Sequence, residues 1–394
     1  MRGEIVGMRD NLLAMRQTAS EVLDDFLLLY DKHIVREDDR AWVPYGSLPP
    51  IERLKVTADT PPSSRLTCDV ALGYLVAHLE RADPARLETA YALLRHAFTQ
   101  QHVYGWFVWN YGQREIDQVD LGTVLDTYWW FWTRVKDLPE DIRESIREST
   151  RRAIGYLRTM HQADDPGIIR KRAPDPDHPE AKQSADYRTI DVLNGNALAV
   201  TAYCRAAEIL EDPKLIDLAA LFQRNLVESF GRHVPGWWVY IERLADRKML
   251  DAETILYQAM IALYLQPLWQ ERPNEELRKV LTAAMKTLDE ITDPSGHLDW
   301  SHEARKSFVG TQLLMLPSAA ASLADVCDIT AAGRRRLELV ARTLYDKSAH
   351  WFIDEAGEPH QGSPADELKQ IWATSDLALI VLHARRVEDG LSAK

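Results

Sequence analysis

The chain has 394 residues, of which 46% are apolar, and a formal net charge of −13. That length allows two or three domains or one large repetitive one, and the apolar share is ample for a core. The acidic balance excludes a nucleic-acid binder, which needs a basic face to neutralise phosphates.

Cys68, Cys204 and Cys327 are widely spaced, each inside a helical pattern. They read as buried thiols, not as a disulfide frame or a metal knuckle. The opening residues MRGEIVGMRDNLLAMRQ hold no uninterrupted apolar stretch of a signal peptide, and no run of about 18 apolar residues offers a membrane span. A cytoplasmic location is the default expectation, without membrane or nucleic acid as partner.

In chain order, Met8, Leu12, Leu13, Met15, Val22, Leu23, Phe26 and Leu27 recur at helical spacing and predict a long amphipathic helix over 4–32. Residues 33–61 form a loop, because Pro44, Pro49, Pro50 and Pro61 exclude helix. That loop carries Trp42, Tyr45, Arg53 and Lys55. Two helices follow, over 63–80 and from Asp83-Pro84 to Thr99; a proline in the first turn costs no hydrogen bond. A loop over 105–117 leads to a fourth helix, 121–135. Leu138-Pro139-Glu140-Asp141 opens a fifth, with acids in the first turn where the helix dipole favours them. Residues 164–186 make a long polar loop, a length that marks functional segments. The sixth helix, 189–210, contains Asn194-Gly195-Asn196, all poor helix formers. Six more are expected over 212–230, 252–268, 273–291, 307–326, 331–347 and 367–387.

A repeat runs through this order. Gly105–Trp130, GWFVWNYGQREIDQVDLGTVLDTYWW, is a turn glycine, an aromatic run at strand-like alternation, two acids and an apolar helix. Gly236–Tyr264 and, more weakly, Ser295–Leu316 repeat it, with His302 and Glu303 taking the acids' place in the last copy. Turn signals at Trp42, Trp106, Gly167, Trp237, Gly296 and Gly357 recur about every 50 to 70 residues, which suits a helical hairpin plus one long loop. The odd helices carry many charges, whereas the even ones are apolar on all sides and must be buried. The expected fold is therefore a single all-α domain, residues 1–394: an inner ring of six helices inside an outer ring of six. All long loops precede inner helices and share one rim, the expected functional face.

In this architecture the chain resembles the (α/α)6-barrel enzymes, many of them carbohydrate-active: inverting glycosidases, uronate lyases, and N-acylglucosamine and cellobiose 2-epimerases. The resemblance spans nearly the whole length but rests on architecture, and no single family's signature is present. Gly236-Trp237-Trp238 looks like the end of the terpene-cyclase repeat, whose Asp-x-Asp-Asp and Asp-Asp-x-x-Asp motifs are missing. The zinc ligands of lanthionine cyclases are missing too. His302 is the one histidine placed like those of the epimerases.

The loop rim is rich in aromatic residues: Trp42, Tyr45, Trp106, Trp109, Tyr111, Trp237, Trp238, Tyr240, Trp300 and Trp351. Flat aromatic faces stack on sugars and stabilise carbocations. Alternation sends every second one into the hairpin core, so at most one of Trp237 and Trp238 faces a cavity. Asp117, Asp120, Asp191, Asp251 and Glu253 stand at or near the first turns of inner helices, where each can serve as a cap. One cap per helix suffices, and Asp120 and Glu253 lie beyond their nearest acids. They are the candidate catalytic pair, with Asp117 and Asp251 as the alternates. Inverting glycoside hydrolysis needs such an acid and base about 6.5–9.5 Å apart.

The lyase version uses Arg188 and Asn194 to neutralise a uronate, with Tyr257, His297 or His302 as base. The expected substrate contacts are Trp106, Trp109, Arg188, Asp191, Asn194, Trp238, Tyr240, Tyr257, Trp300 and His302. Rim arginines (Arg53, Arg114, Arg188, Arg243, Arg247, Arg305) fit an anionic ligand or salt bridges to neighbouring acids. His161, His178, His233 and His350 are scattered without i, i+4 pairing, so no metal is expected. No nucleophile elbow, P-loop or nicotinamide fingerprint is present, so no cofactor is expected either. The sequence thus reads as a glycoside hydrolase, or a related uronate lyase, acting on an oligosaccharide or other small molecule. A terpene-type cyclase and a non-catalytic binding toroid are the alternatives. Oligomeric state leaves no mark in the sequence.

Overall fold

The computed structural model describes residues 2–43, 63–107, 115–174, 176–177, 185–302, 309–347, 351–352 and 365–392. Tyr45, Arg53, Lys55, Trp109, Tyr111, Arg114, His178, Glu303, Arg305, His350 and Gly357 lie outside them, as do the side chains of His302 and Trp351.

Six helices make the inner ring: α2 (Ser64–Arg81), α4 (Gln118–Arg134), α6 (Leu193–Leu210), α8 (Ile255–Glu271), α10 (Val309–Ser322) and α12 (Ala365–Ser392). Each packs on the next, and α12 returns to α2. The outer ring is α1 (Arg2–His33), α3 (Pro84–Thr99), α5 (Glu140–Thr159), α7 (Lys214–Ser229), α9 (Glu275–Glu290) and α11 (Thr330–Leu339).

The sequence explains the sorting. Among the residues of α6, nearly every one is buried, and all of Ile255–Leu268 in α8 is. By contrast, α5 buries a single stripe, Ile142, Ile146, Ser149, Thr150, Ala153, Ile154 and Leu157, and leaves its arginines and glutamates in water. Local signals set the helix starts. Ser63, Asp83, Thr254 and Asn274 cap α2, α3, α8 and α9 through their side chains. The ring is sealed where α1 meets α12: Arg16 bridges Glu80 and Glu388 at 3.0 and 2.8 Å, and the Tyr30 and Thr374 hydroxyls share a hydrogen bond of 2.7 Å.

Turn glycines hold successive hairpins together. Gly105 (φ +106) and Gly296 (φ +93) adopt backbone conformations that disfavour other residues. A side chain on either would strike a backbone carbonyl of the next outer helix, that of Arg152 in α5 or of Arg335 in α11. Gly167 approaches the Leu221 carbonyl of α7 in the same way, and Gly236 approaches the Thr287 hydroxyl of α9.

Short strands line the loop rim. β1 (Val35–Glu37) pairs with β2 (Arg40–Trp42), and β3 (Glu115–Asp117) with β4 (Arg172–Pro174). β5 (Ile190–Val192), β6 (Val239–Arg243) and β7 (Met249–Glu253) form one antiparallel sheet, and β8 (Tyr345–Asp346) pairs with β9 (Trp351–Phe352). This corrects the expected position of three acids. Asp191 lies on β5 opposite Glu242, while Asp251 and Glu253 lie on β7 opposite Ile241 and Val239. None of the three is in a helix: β5 is drawn into pairing with β6 of the next loop, β7 folds back on β6 within its own loop, and α8 starts only at Ile255. Among the described residues, no helix is long and apolar enough to cross a membrane.

Candidate active site

The alternation of outer and inner helices puts the first turns of all inner helices at one rim. Four ionisable side chains of the inner helices cluster near it. Arg65 stands in the first turn of α2 and Asp69 one turn further. Asp120 stands in the first turn of α4, and α12 brings in Asp376. Arg65 reaches between two of the acids, with Nη1 3.7 Å from Asp120 Oδ1 and Nε 3.8 Å from Asp69 Oδ2.

Asp120 is 1% exposed, and among the described residues neither of its carboxylate oxygens has a hydrogen-bond partner. Burial pushes its pKa well above the ordinary carboxylate range; Arg65 opposes the shift, and Asp117 and Asp69 add to it. Burial raises Asp69 to about 7, against the pull of Arg65 and a hydrogen bond from Ser375. Asp376 is also raised, by burial and by the nearby charge of Asp69.

Beside this cluster runs a second line of contacts. Asp117 caps α4 through Oδ1, which accepts from the Val119 amide at 2.9 Å, while its Oδ2 accepts from Arg172 Nε at 2.7 Å. The neighbouring Lys171 is buried and donates from Nζ to Tyr240 Oη at 3.0 Å. Tyr240 stacks on Tyr257 from the first turn of α8, with ring centroids 4.0 Å apart and an interplanar angle of 11°. Burial works against ionisation of Tyr240, but the charge and hydrogen bond of Lys171 outweigh it and hold the phenol below its ordinary pKa. Lys171 in turn is held above its own, since Tyr240 and Asp117 overcome the effect of burial.

The Asn194-Gly195-Asn196 run divides its duties. Asn196 donates to Asp191 at 2.7 Å and accepts from the Ile169 amide at 3.0 Å. The Gly195 carbonyl accepts from Gln118 Nε2 at 2.6 Å. Asn194 sits 3.4 Å from the Met260 sulfur, and among the described residues its own Oδ1 has no hydrogen-bond partner.

Of the residues singled out in the sequence, Asp117 and Asp120 share the start of α4, and Tyr240 and Tyr257 stand together with Lys171 near Asp117. Others stand elsewhere. Trp238 is fully buried in the wall: its indole donates to the Leu226 carbonyl at 2.8 Å and packs edge-on against Phe230. Trp106 is buried in an aromatic stack with His102, 3.8 Å away, and Tyr104. Asp191 is fully buried in a network with Asn196, Asn225 and Arg247. Arg188 is exposed and pairs with Asp186. Trp300 is half-buried beneath the guanidinium of Arg336, 5.8 Å from its ring. Asp251 and Glu253 are half-buried on β7.

Sequence reading missed Arg65, Asp69, Lys171, Arg172 and Asp376. Three of them carried a signal. Arg65, Asp69 and Asp376 are charges in or beside apolar stretches of their helices, where a solvated face is not available. Among the described residues, no group of three His, Cys, Asp or Glu side chains is arranged to hold a metal ion.

No protein-family profile matches the chain, and no curated protein matches it. Solved structures do. A cellobiose 2-epimerase from Spirochaeta thermophila superimposes with a TM-score of 0.68 at 13% identity, over 96% of this chain and 99% of that one. An unsaturated glucuronyl hydrolase from Bacillus sp. GL1 gives 0.61 at 13% identity, over 94% and 96%. An inactive variant of an alpha-1,6-mannanase of Salegentibacter, in complex with alpha-1,6-mannotriose, gives 0.58 at 12% identity, over 93% and 99%. This likeness over nearly whole chains defines the fold as an (α/α)6 barrel.

Proposed function

We propose that this chain is a carbohydrate-active enzyme in which Asp120 donates a proton to a glycosidic oxygen. The observation that carries this reading is the Asp120 carboxyl itself: buried, without a hydrogen bond on either oxygen, and beside Arg65. An unsatisfied buried polar group costs about 1–3 kcal/mol, a cost that a hydrogen bond to a bound substrate would relieve. A carboxylic acid kept neutral by its surroundings is what general acid catalysis near neutral pH requires.

Polar and aromatic groups stand together near the start of α4, with Lys171 on the Tyr240 hydroxyl and Tyr240 stacked on Tyr257. That mixture suits a polyhydroxylated ring better than the dry aromatic pocket a terpene-type cyclase needs. The names of the similar structures support the same class: an epimerase, a glucuronyl hydrolase and a mannanase all act on sugars. The substrate is an oligosaccharide or a smaller sugar derivative. In the hydrolytic version the second carboxylate is Glu253, or Asp251 beside it on β7, and Trp300 offers a face for a sugar ring.

The test is release of reducing ends from a panel of neutral and acidic oligosaccharides. Asp120→Asn should abolish it while the variant stays folded by circular dichroism. Unchanged turnover in that variant would sink the reading.

A further inference from the structure

The cluster around Arg65 leaves hydrogen-bonding atoms unused. Asp69 Oδ2, both carboxyl oxygens of Asp120 and Asp376 Oδ2 have no hydrogen-bond partner among the described residues, and none of the three residues is more than 3% exposed. Arg65 is shared between two of them, at 3.8 Å from Asp69 and 3.7 Å from Asp120, which leaves three carboxyls to one guanidinium. Asp376 belongs to the same group: α12 packs on α2, and the neighbouring Ser375 hydrogen-bonds to the Asp69 carboxyl. We propose that Asp69 and Asp376 form an ammonium subsite, and that the sugar taken here is a 2-amino-2-deoxy sugar with its amine free. The inference rests on the reading of Asp120 as proton donor and names the substrate class for it.

Of the groups a sugar can bring, an ammonium fits this surplus of acceptors best. A hydroxyl brings one donor and two acceptors, and so adds acceptors where they are already in excess. A uronate carboxylate brings acceptors alone and a further negative charge. The neighbouring cations are already engaged, Arg172 with Asp117 at 2.7 Å and Lys171 with Tyr240 at 3.0 Å. An N-acetylated amine keeps a single N–H and no charge. An ammonium brings three donors, no acceptor and the positive charge that the three acids lack.

The shared arginine sets the position of the amine. Asp69 and Asp120 are neighbours across Arg65, so a proton donor at one and an ammonium at the other serve adjacent substituents of one ring. These are the glycosidic oxygen on C1 and the amine on C2. Without a ligand, burial holds Asp69 and Asp376 above the ordinary carboxylate range. The incoming ammonium displaces their protons. Ionised Asp69 then adds to the shift that keeps Asp120 protonated for the leaving oxygen. Cys68, Tyr30 and Tyr264 also feel the charge of Asp69, and burial keeps all three neutral.

Calorimetry tests this by comparing glucosamine, galactosamine and mannosamine with their N-acetyl and 2-hydroxyl counterparts. About 0.5 M salt screens the general attraction of an amine to a chain of net charge −13. At least one amine should bind about tenfold or more tighter than both its counterparts, with release of protons to the buffer. Asp376→Asn should close that gap. No preference for the amine in any of the three sets overturns the proposal, as does a preference that survives in both Asp69→Asn and Asp376→Asn. Reducing ends released from oligosaccharides of the same sugars separate this inference from the reading beneath it. Loss of turnover in Asp120→Asn without any preference for the amine means that the subsite alone is wrong. Turnover retained in Asp120→Asn, with the amine preferred, upholds the subsite and sinks the proton-donor reading.

Discussion

Helix α4 buries two aspartates that are treated in opposite ways. Asp126 is fully engaged: Oδ1 accepts from Arg205 Nε at 2.7 Å and Oδ2 from the Trp130 indole at 3.2 Å. The Arg205 guanidinium also lies 3.4 Å from the centre of the Trp129 ring. Asp120, about 9 Å nearer the rim, has no hydrogen bond on either oxygen and only a long approach from Arg65. The same residue type on the same helix is a structural rivet at one level and an unsatisfied acid at the other. The difference teaches that burial alone does not mark a reactive carboxyl. What separates the two is the accounting of its hydrogen bonds.

The comparison can be broken by experiment. Asp120→Asn carries the largest expected effect, a loss of about 10² to 10⁴ in turnover, with the urea midpoint of unfolding near that of the wild type. Arg205→Met should do the reverse. It leaves Asp126 buried and uncompensated, which costs about 3–5 kcal/mol in urea unfolding, and leaves turnover per folded molecule unchanged. If Arg205→Met loses turnover but not stability, the two levels of α4 do not differ as described.

Asp69 sharpens the contrast through pH. Its folded-state pKa of about 7 lies above that of an unfolded aspartate, about 3.9. The folded form therefore holds a proton that the unfolded form releases in that interval. Measured against Asp69→Asn, wild-type stability should be highest below about pH 4, decline towards about pH 7, and level off above it. A difference that does not change with pH would mean Asp69 is not held neutral.

The smallest effects are expected on β7. The hydrolytic reading needs only one of the two acids there, so of Asp251→Asn and Glu253→Gln the variant that removes the bystander changes turnover by less than about tenfold. Near-wild-type turnover in both would break the pairing of a β7 carboxylate with Asp120.

The barrel was legible in the sequence because its cause is local. A helix apolar on every face, such as α8, has nowhere to go but inside, and α5 with one apolar stripe must lie outside. The proposed proton donor was legible in part, since Asp120 follows the capping residue Asp117 and is not itself needed as a cap. The strands were not, because three-residue segments such as β5 exist only through pairing with a neighbouring hairpin. That is why Asp191 resembles a helix-start acid in sequence and is instead a buried member of a sheet-edge network. Lys171 was hidden for a similar reason. It stands in a polar loop among other charges, and only the fold brings Tyr240 to it across 69 residues.

The turn glycines carry a consequence for the nascent chain. Each seats on the outer helix of the following hairpin, so docking can proceed in the order in which the ribosome delivers the pieces. The seam does not share this property. Arg16 and Glu388 are 372 residues apart, so the ring closes only when α12 has emerged. A chain halted before that point is an open arc, with the flanks of α1, α2 and α10 that α12 would cover left bare. The arc's own missing helix is the piece that fits, and another copy can supply it, so domain-swapped assemblies are the expected fate of a protein truncated within its last hairpin.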